Sequence, residues 1–287
     1  MNEYDWMAER FEAHRGHLRA VAYRMLGSLS EADDAVQEAW LKLTRADTSD
    51  VANLGGWLTT VVGRVCLDML RARKARREEP LGVHVPEPII SRADGPDPEQ
   101  EAILADSVGL ALLVVLEHLA PAERLAFVLH DTFAVPFEEI GPILGRSPAA
   151  AKQLASRARR RVRGAEPISD GDLASQRAVV EAFLTAARGG DLEGLLAVLD
   201  PDVVARPDAG PVVHGANALA STAIAFGRLA RSAKLALVNG VPGLIASDGE
   251  RLRSVMAFTI RGGKVTALDI LVDPDRLARL DISPLVQ

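Results

Sequence analysis

Between Glu78 and Glu99 the chain carries five prolines, Pro80, Pro86, Pro88, Pro96 and Pro98, with little helical periodicity. Proline lacks an amide hydrogen and fixes its own φ, so neither a helix interior nor a central strand runs through such a stretch. Residues 78–100 therefore read as an extended, proline-rich linker, and the chain must fold as separate pieces on either side of it. A second break, Gly164 to Asp172 (GAEPISDGD), follows a dense run of arginines. The expected division is 1–77, 101–163 and 173–287, with a short linker at 164–172.

Composition narrows the function. With 287 residues, 48% apolar and 25% charged, the chain has the make-up of a folded protein rather than a disordered one. The net charge of −6 argues against a uniformly basic nucleic-acid coat, so any basic surface must be local. One cysteine, Cys66, is too few for an internal disulfide or a thiolate-rich metal site. The N-terminal stretch is polar and acidic where a signal peptide is basic then apolar, and no run approaches the roughly 18 apolar residues of a membrane span. The expectation is a cytoplasmic protein with no membrane partner.

The first piece reads as helical, with Phe11, Leu18, Val21, Ala22, Met25 and Leu26 at helical spacing. A second helix is expected to start at Ser30 as its N-cap, and a third to run from about Gly56 to Arg77. The second piece repeats the pattern in shorter helices punctuated by Pro121, Pro136 and Gly145. The third begins with helices over Arg177–Arg188 and Leu192–Leu199. It ends in strand-like runs over Leu235–Val241, Arg251–Ile260 and Lys264–Val272, with turns at Asp248-Gly249 and Gly262-Gly263. The fold class expected is multidomain: two all-α pieces followed by an α+β piece.

Three helical faces carry unusual chemistry. On the helix Glu31 to Thr44 the apolar stripe is Ala35, Val36, Ala39, Trp40 and Leu43. Asp33, Asp34, Gln37 and Glu38 gather opposite it, with Leu41 in their midst. That face reads either as a solvated surface with one stray leucine or as a docking surface for a basic partner, anchored by Leu41. In the next helix Trp57, Leu58, Val61, Val62, Val65 and Met69 form a core face, while Arg64, Arg71 and Lys74 line up elsewhere. Five of the seven residues from Arg71 to Arg77, Arg73 among them, are basic. Complementing the helix dipole does not need five mutually repelling charges, so a phosphate backbone is the better account.

The third face lies in Phe137 to Arg163 (FEEIGPILGRSPAAAKQLASRARRRVR). This segment reads as a short helix, a turn at Gly145-Arg146, Ser147 as N-cap, Pro148 at the first helical position and a longer second helix. That is a helix-turn-helix pattern. On the second helix Ala151, Leu154, Ala155, Ala158 and Val162 share an arc, and Lys152, Gln153, Ser156, Arg157, Arg159, Arg160 and Arg163 cover the other half. Guanidinium groups reach guanine edges and phosphates, Gln153 pairs with adenine, and the small Ala149 lets the helix N-terminus approach the major groove. Pro142 removes a backbone donor inside the first helix and is expected to shorten or kink it.

LSEADDAVQEAWLKL, GGWLTTVVGRVCLDMLRARKARR and LEHLAPAERLAFVLHDTFAVPFEEIGPILGRSPAAAKQLASRARRRV resemble regions 2 and 4 of an extracytoplasmic-function (ECF) sigma factor of the sigma-70 family, over nearly all of residues 5–163. The resemblance implies a subunit that directs promoter-specific transcription initiation. It places Asp33, Asp34, Gln37, Glu38 and Leu41 on the β′ clamp of core RNA polymerase, with region 4 at the β flap. It assigns the minus-ten promoter element to Trp57, Arg64, Arg71, Arg73, Lys74 and the preceding loop. The minus-thirty-five element goes to Ser147, Ala149, Lys152, Gln153, Ser156, Arg157 and Arg160.

The third piece is similar to a SnoaL-like cone, a curved sheet closed by helices, as in the SigJ-like group of ECF factors. In that group the C-terminal extension modulates activity without a separate anti-sigma factor. Its three motifs correspond to His84-Val85-Pro86-Glu87-Pro88, Asp208-Ala209-Gly210-Pro211 and Asp273-Pro274-Asp275-Arg276-Leu277, which the resemblance assigns to interdomain regulation. Asp208, His214 and Asp269 are the residues from which a cyclase or isomerase site in the cone would have to be built. A ligand-responsive helix-turn-helix regulator acting without polymerase is the alternative function, and an unidentified small ligand in the cone fits either reading. His14, His17, His84, His118 and His130 show no metal-ligand spacing. No metal, cofactor or enzyme activity is expected.

Overall fold

The computed structural model describes residues 3–46, 51, 53–75, 85–93, 109–165, 169–248 and 251–280. Arg76, Arg77, His84, Gly249, the first residues of the 101–163 piece and most of the loop before Trp57 lie outside them. The chain forms two compact units. One comprises Met1–Glu79, Glu101–Asp106 and Val115–Glu166; the other comprises Pro80–Gln100, Ser107–Val114 and Pro167–Gln287. The two helical pieces thus form one unit, and the proline-rich segment belongs to the other.

The helical unit contains α1 (Glu3–Leu26), α2 (Leu29–Leu43) and α3 (Leu54–Ala75). After these come α4 (Leu110–Glu117), within which the division falls, and α5 (Pro121–Phe127), which continues into a π-helical turn at Val128–Thr132. α6 (Phe137–Leu144) and α7 (Pro148–Ala165) complete it. The expected apolar residues of α1, Phe11, Leu18, Val21, Ala22, Met25 and Leu26, are all buried. The N-cap of α2 is Ser28 rather than Ser30. Gly27 turns the chain at φ 72°, Ser28 is extended, and its hydroxyl accepts from the Glu31 amide, leaving Ser30 inside the first turn. The break is set by glycine's tolerance of positive φ, two residues before the better-looking serine.

The second unit holds α8 (Leu173–Gly189), α9 (Leu192–Val198), α10 (Ala216–Ala225), α11 (Gly227–Ser232) and α12 (Pro274–Leu277), with a seven-stranded sheet. The strands are β1 (Ile90–Ser91), β2 (Leu199–Pro207), β3 (Val213–His214), β4 (Ala233–Val238), β5 (Val241–Asp248), β6 (Arg251–Arg261) and β7 (Lys264–Leu271). They lie in the order β1-β4-β5-β6-β7-β2-β3, and only the β2–β7 pair is parallel. The fold class is therefore two all-α sigma domains followed by an α+β cone.

Several elements depart from the sequence reading. The expected single run Leu235–Val241 is two strands, because Asn239 and Gly240 (φ 53° and 78°) form a two-residue turn that pairs Val238 with Val241. Gly262-Gly263 closes the β6–β7 hairpin, as expected, at φ 55° and 73°. Strands β1, β2 and β3 had no clear alternation to announce them. The proline-rich segment supplies β1: Ile90 pairs with Val238, and the Ile89 amide donates to Asn239 Oδ1 (3.1 Å).

The core of this unit lies between the sheet and its helices. Val180, Phe183 and Leu184 of α8, Leu195 of α9 and Leu219 of α10 pack on Leu244, Ala246, Phe258, Ile260, Val265 and Leu268. Phe183 meets Phe258 edge-on at 5.3 Å between ring centroids. Val255 and Ala257, on the opposite face of β6, are also buried.

Candidate nucleic-acid interface

The helix-turn-helix is built by backbone geometry. Gly145 ends α6 in the left-handed region (φ 64°), its amide donating to the Pro142 carbonyl (3.2 Å) and that of Arg146 to the Gly141 carbonyl (2.9 Å). This is a Schellman closure. A Cβ on Gly141 would lie 2.8 Å from the Arg146 carbonyl oxygen and 3.1 Å from the Pro148 nitrogen, so the tight crossing of the turn requires glycine there. Ser147 Oγ then accepts from the Ala150 amide (3.3 Å), starting α7 where the sequence placed it. Pro142 sits within an α6 of eight residues, short as its missing donor implies.

Ala151, Leu154, Ala155, Ala158 and Val162 of α7 are buried, and Ser147, Ala149, Lys152, Gln153, Ser156, Arg157, Arg160 and Arg163 are exposed. Two arginines of the run face elsewhere. Arg159 Nε is held by Asp131 at 2.5 Å and Arg161 by the buried Glu123 at 2.6 Å. The residues assigned to the minus-thirty-five element therefore share one open donor surface.

On α2, Asp33, Asp34, Gln37, Glu38 and Leu41 are all exposed, Leu41 at 39%, opposite the buried Ala35, Val36, Ala39 and Leu43. Arg19 grips Asp33 with two hydrogen bonds (2.7 and 3.0 Å), and Lys42 pairs with Glu38 at 3.0 Å. Asp34 and Gln37 have no such partner among the described residues.

α3 splits the basic residues expected to act together. Trp57 is half-buried; Arg64 and Arg71, seven residues apart, share a face; Lys74 is exposed. Arg71 makes a loose pair with Asp68 (3.5 Å). Arg64 Nη2 donates to the Pro142 carbonyl at 3.4 Å. Arg73 turns inward to Glu31 and to Glu117, the latter at 4.0 Å.

Sequence reasoning missed the centre of this network. Arg124, only 2% exposed, donates from Nε to the Leu116 carbonyl (2.8 Å) and from Nη1 to the Met25 carbonyl (2.6 Å), and pairs through Nη2 with Glu117 (2.7 Å). Burial pulls this guanidinium below its ordinary pKa, and Glu117 opposes the shift. The signal available in the sequence was one arginine inside the otherwise apolar run LAFVL, preceded seven residues earlier by a glutamate.

In the second unit the residues of the three regulatory motifs meet. Asp208, 2% exposed, accepts from the amides of Val272 (2.8 Å) and Asp273 (3.3 Å) and from Arg276 Nη1 (3.0 Å). Arg276 Nη2 donates to the carbonyl of Val85 in the proline-rich segment. Asp273 caps α12 by accepting from the amides of Asp275 (2.9 Å) and Arg276 (3.0 Å), with Pro274 at the first helical position and Leu277 buried. Pro86 and Pro88 are buried, Glu87 is half-buried and Gly210 bends the chain at φ 116°. The residues considered for acid–base chemistry do not converge: Asp208 is held by Arg276, Asp269 by Arg206 (2.7 Å), and His214 is exposed on β3.

Residues 10–76 match the family model for Sigma-70 region 2 and residues 109–162 that for Sigma-70, region 4. The probable ECF RNA polymerase sigma factor SigI of Mycobacterium tuberculosis is 37% identical over 280 residues, covering 96% of this chain and 97% of its own length. The chain belongs to the ECF RNA polymerase sigma factors. Within that family, SigJ of M. tuberculosis is 41% identical over 286 residues, covering 93% of this chain and 91% of its own. The crystal structure of SigJ aligns with a TM-score of 0.78 at 37% identity, covering 96% of this sigma factor and 100% of the other. Among the described residues, no helix of this sigma factor is long and apolar enough to cross a membrane.

Proposed function

We propose that this sigma factor docks on the β′ clamp of core RNA polymerase through Asp33, Asp34, Gln37, Glu38 and Leu41, with region 4 (101–163) at the β flap. Region 2 (1–77) reads and melts the minus-ten element with Trp57, Arg64, Arg71, Arg73 and Lys74. α7 reads the minus-thirty-five element with Ser147, Ala149, Lys152, Gln153, Ser156, Arg157 and Arg160. The observation that carries this reading is the open donor face of α7, from which Arg159 and Arg161 are withdrawn into ion pairs. Catalysis has no part in it; binding energy opens the strands, as unpaired bases are captured by exposed side chains. The protein acts in the cytoplasm, without a cofactor.

Arg160→Ala is expected to cost about 1–3 kcal/mol at one promoter position if the side chain reads a base, whereas loss of a phosphate contact weakens all promoters alike. Transcription in vitro with core polymerase over a set of promoter variants makes the measurement. Wild-type behaviour at every promoter would contradict the assigned face.

Residues 173–287 regulate the factor in cis, in place of a separate anti-sigma protein, through Pro86, Glu87, Pro88, Asp208, Gly210 and Asp273 to Leu277. The support is the buried Asp208, which orients Arg276 toward the Val85 carbonyl. Asp208→Asn keeps the size but removes the charge that holds Arg276, so residues 85–93 should exchange amide hydrogens faster and promoter-specific transcript yield should change. Unaltered exchange and unaltered yield together would rule this coupling out.

A further inference from the structure

We propose that the two DNA-reading halves of the helical unit are latched directly to each other by Arg124, and that the unit opens before it engages a promoter; the proposal rests on the promoter reading above. Arg124 belongs to α5 of region 4, yet Nη1 donates to the carbonyl of Met25 (2.6 Å), in the last turn of α1 in region 2. Nε donates to Leu116 (2.8 Å), in the last turn of α4. Carbonyls in the last turn of a helix have no donor within it and carry its negative end. One buried guanidinium therefore closes two helix ends in different regions, while Glu117 balances its charge at 2.7 Å.

A second observation points the same way. Gly63, in the middle of α3, is buried, and a Cβ there would lie 3.2 Å from Leu129 Cδ1 and 3.6 Å from Leu125 Cδ1. Glycine weakens a helix interior, so region 2 carries a local cost whose return is the close approach of region 4. A third observation concerns the DNA contacts themselves. Arg64 and Arg73, assigned to the minus-ten element, are directed at region 4 acceptors, the Pro142 carbonyl and Glu117.

The closed unit is also too small for its task. A compact body of about 140 residues has a radius of gyration of roughly 14 Å. Elements about 25 base pairs apart are separated by roughly 85 Å along the duplex. Reading both requires α3 to leave α5 and α6. Arg73 then exchanges Glu117 for phosphate, so promoter DNA and the latch compete for the same guanidinium.

The test uses the full chain, with dyes on cysteines introduced at the exposed Ala13 and Arg163; Cys66 is buried and does not compete for label. Energy transfer should be high in the free wild-type protein and fall on addition of core polymerase. Glu117→Gln loosens the latch. Gly63→Leu wedges α3 off Leu125 and Leu129, and it decides the matter should Glu117→Gln fail to fold. In the free chain either folded variant should show reduced transfer with unchanged far-ultraviolet dichroism. Each should bind a long random-sequence duplex about tenfold more tightly, the gain expected when a competent form rises from about a tenth of the population to nearly all of it. Wild-type transfer in the folded variants, or reduced transfer with no gain in DNA affinity, overturns the latch. Promoter-selective initiation by the wild-type chain with core polymerase is measured alongside. Its absence counts against the promoter reading, whereas unchanged transfer beside normal initiation counts against the latch alone.

Discussion

Replacing Arg124 with methionine is expected to cost the helical unit about 3–5 kcal/mol, the usual penalty for breaking a buried charge pair by removing one partner. The substitution keeps much of the side-chain volume, so the loss is electrostatic. Glu117 is left without its closest cation, and the Met25 and Leu116 carbonyls lose their donor in a site that water does not reach. Against a typical domain stability of roughly 5–15 kcal/mol this is a large fraction. Urea denaturation followed by a probe in α1 reads it directly. The double variant Arg124→Met, Glu117→Leu should recover much of the deficit, because it removes the orphaned charge. A single-variant loss below about 1 kcal/mol would mean that the network contributes little.

Asp34→Arg combined with Glu38→Arg should weaken association with core polymerase by about a hundredfold or more, roughly 3 kcal/mol, through like-charge juxtaposition at the clamp. Both positions are exposed on α2, opposite its buried stripe, so the helix keeps its packing. Asp33 is left out of the design because Arg19 holds it, and reversing it would disturb α1 against α2. Surface capture of core enzyme at several ionic strengths is the measurement. Retained wild-type affinity with an intact far-ultraviolet spectrum would remove α2 from the interface.

Periodicity made the helices legible. The stripes of α1, α2, α3 and α7 lie where alternation of apolar and polar residues put them, because an amphipathic helix has few other ways to bury one side. The helix-turn-helix was equally open to reading, since Gly145, Ser147 and Pro148 each have one favoured place at a helix boundary. The strands were harder. β2 contains two prolines and three charged residues, and its pairing with β7 crosses more than sixty positions of chain. No local pattern reports such a partner. Asn239-Gly240 was a readable turn hidden inside a longer apolar run.

For the interfaces, residue type located the donors and acceptors but not their allegiance. Nothing in the string RARRR separates Arg160, which is exposed, from Arg159 and Arg161, which are held by Asp131 and Glu123. Arg73 differs from Arg71 only by a rotation about the helix axis, and that rotation turns it from solvent toward Glu31. Arg124 was unreadable for a related reason: its acceptors are main-chain carbonyls, which every residue has.

The two-residue strand β1 has one more consequence. It seals the rim of the sheet beside β4, so any state in which residues 85–93 lift away bares main-chain hydrogen-bonding groups along Leu237 and Val238 and takes the Ile89 amide from Asn239. A bare rim of this kind recruits any extended peptide within reach. Freed factor should therefore be prone to self-association unless another strand fills the vacancy.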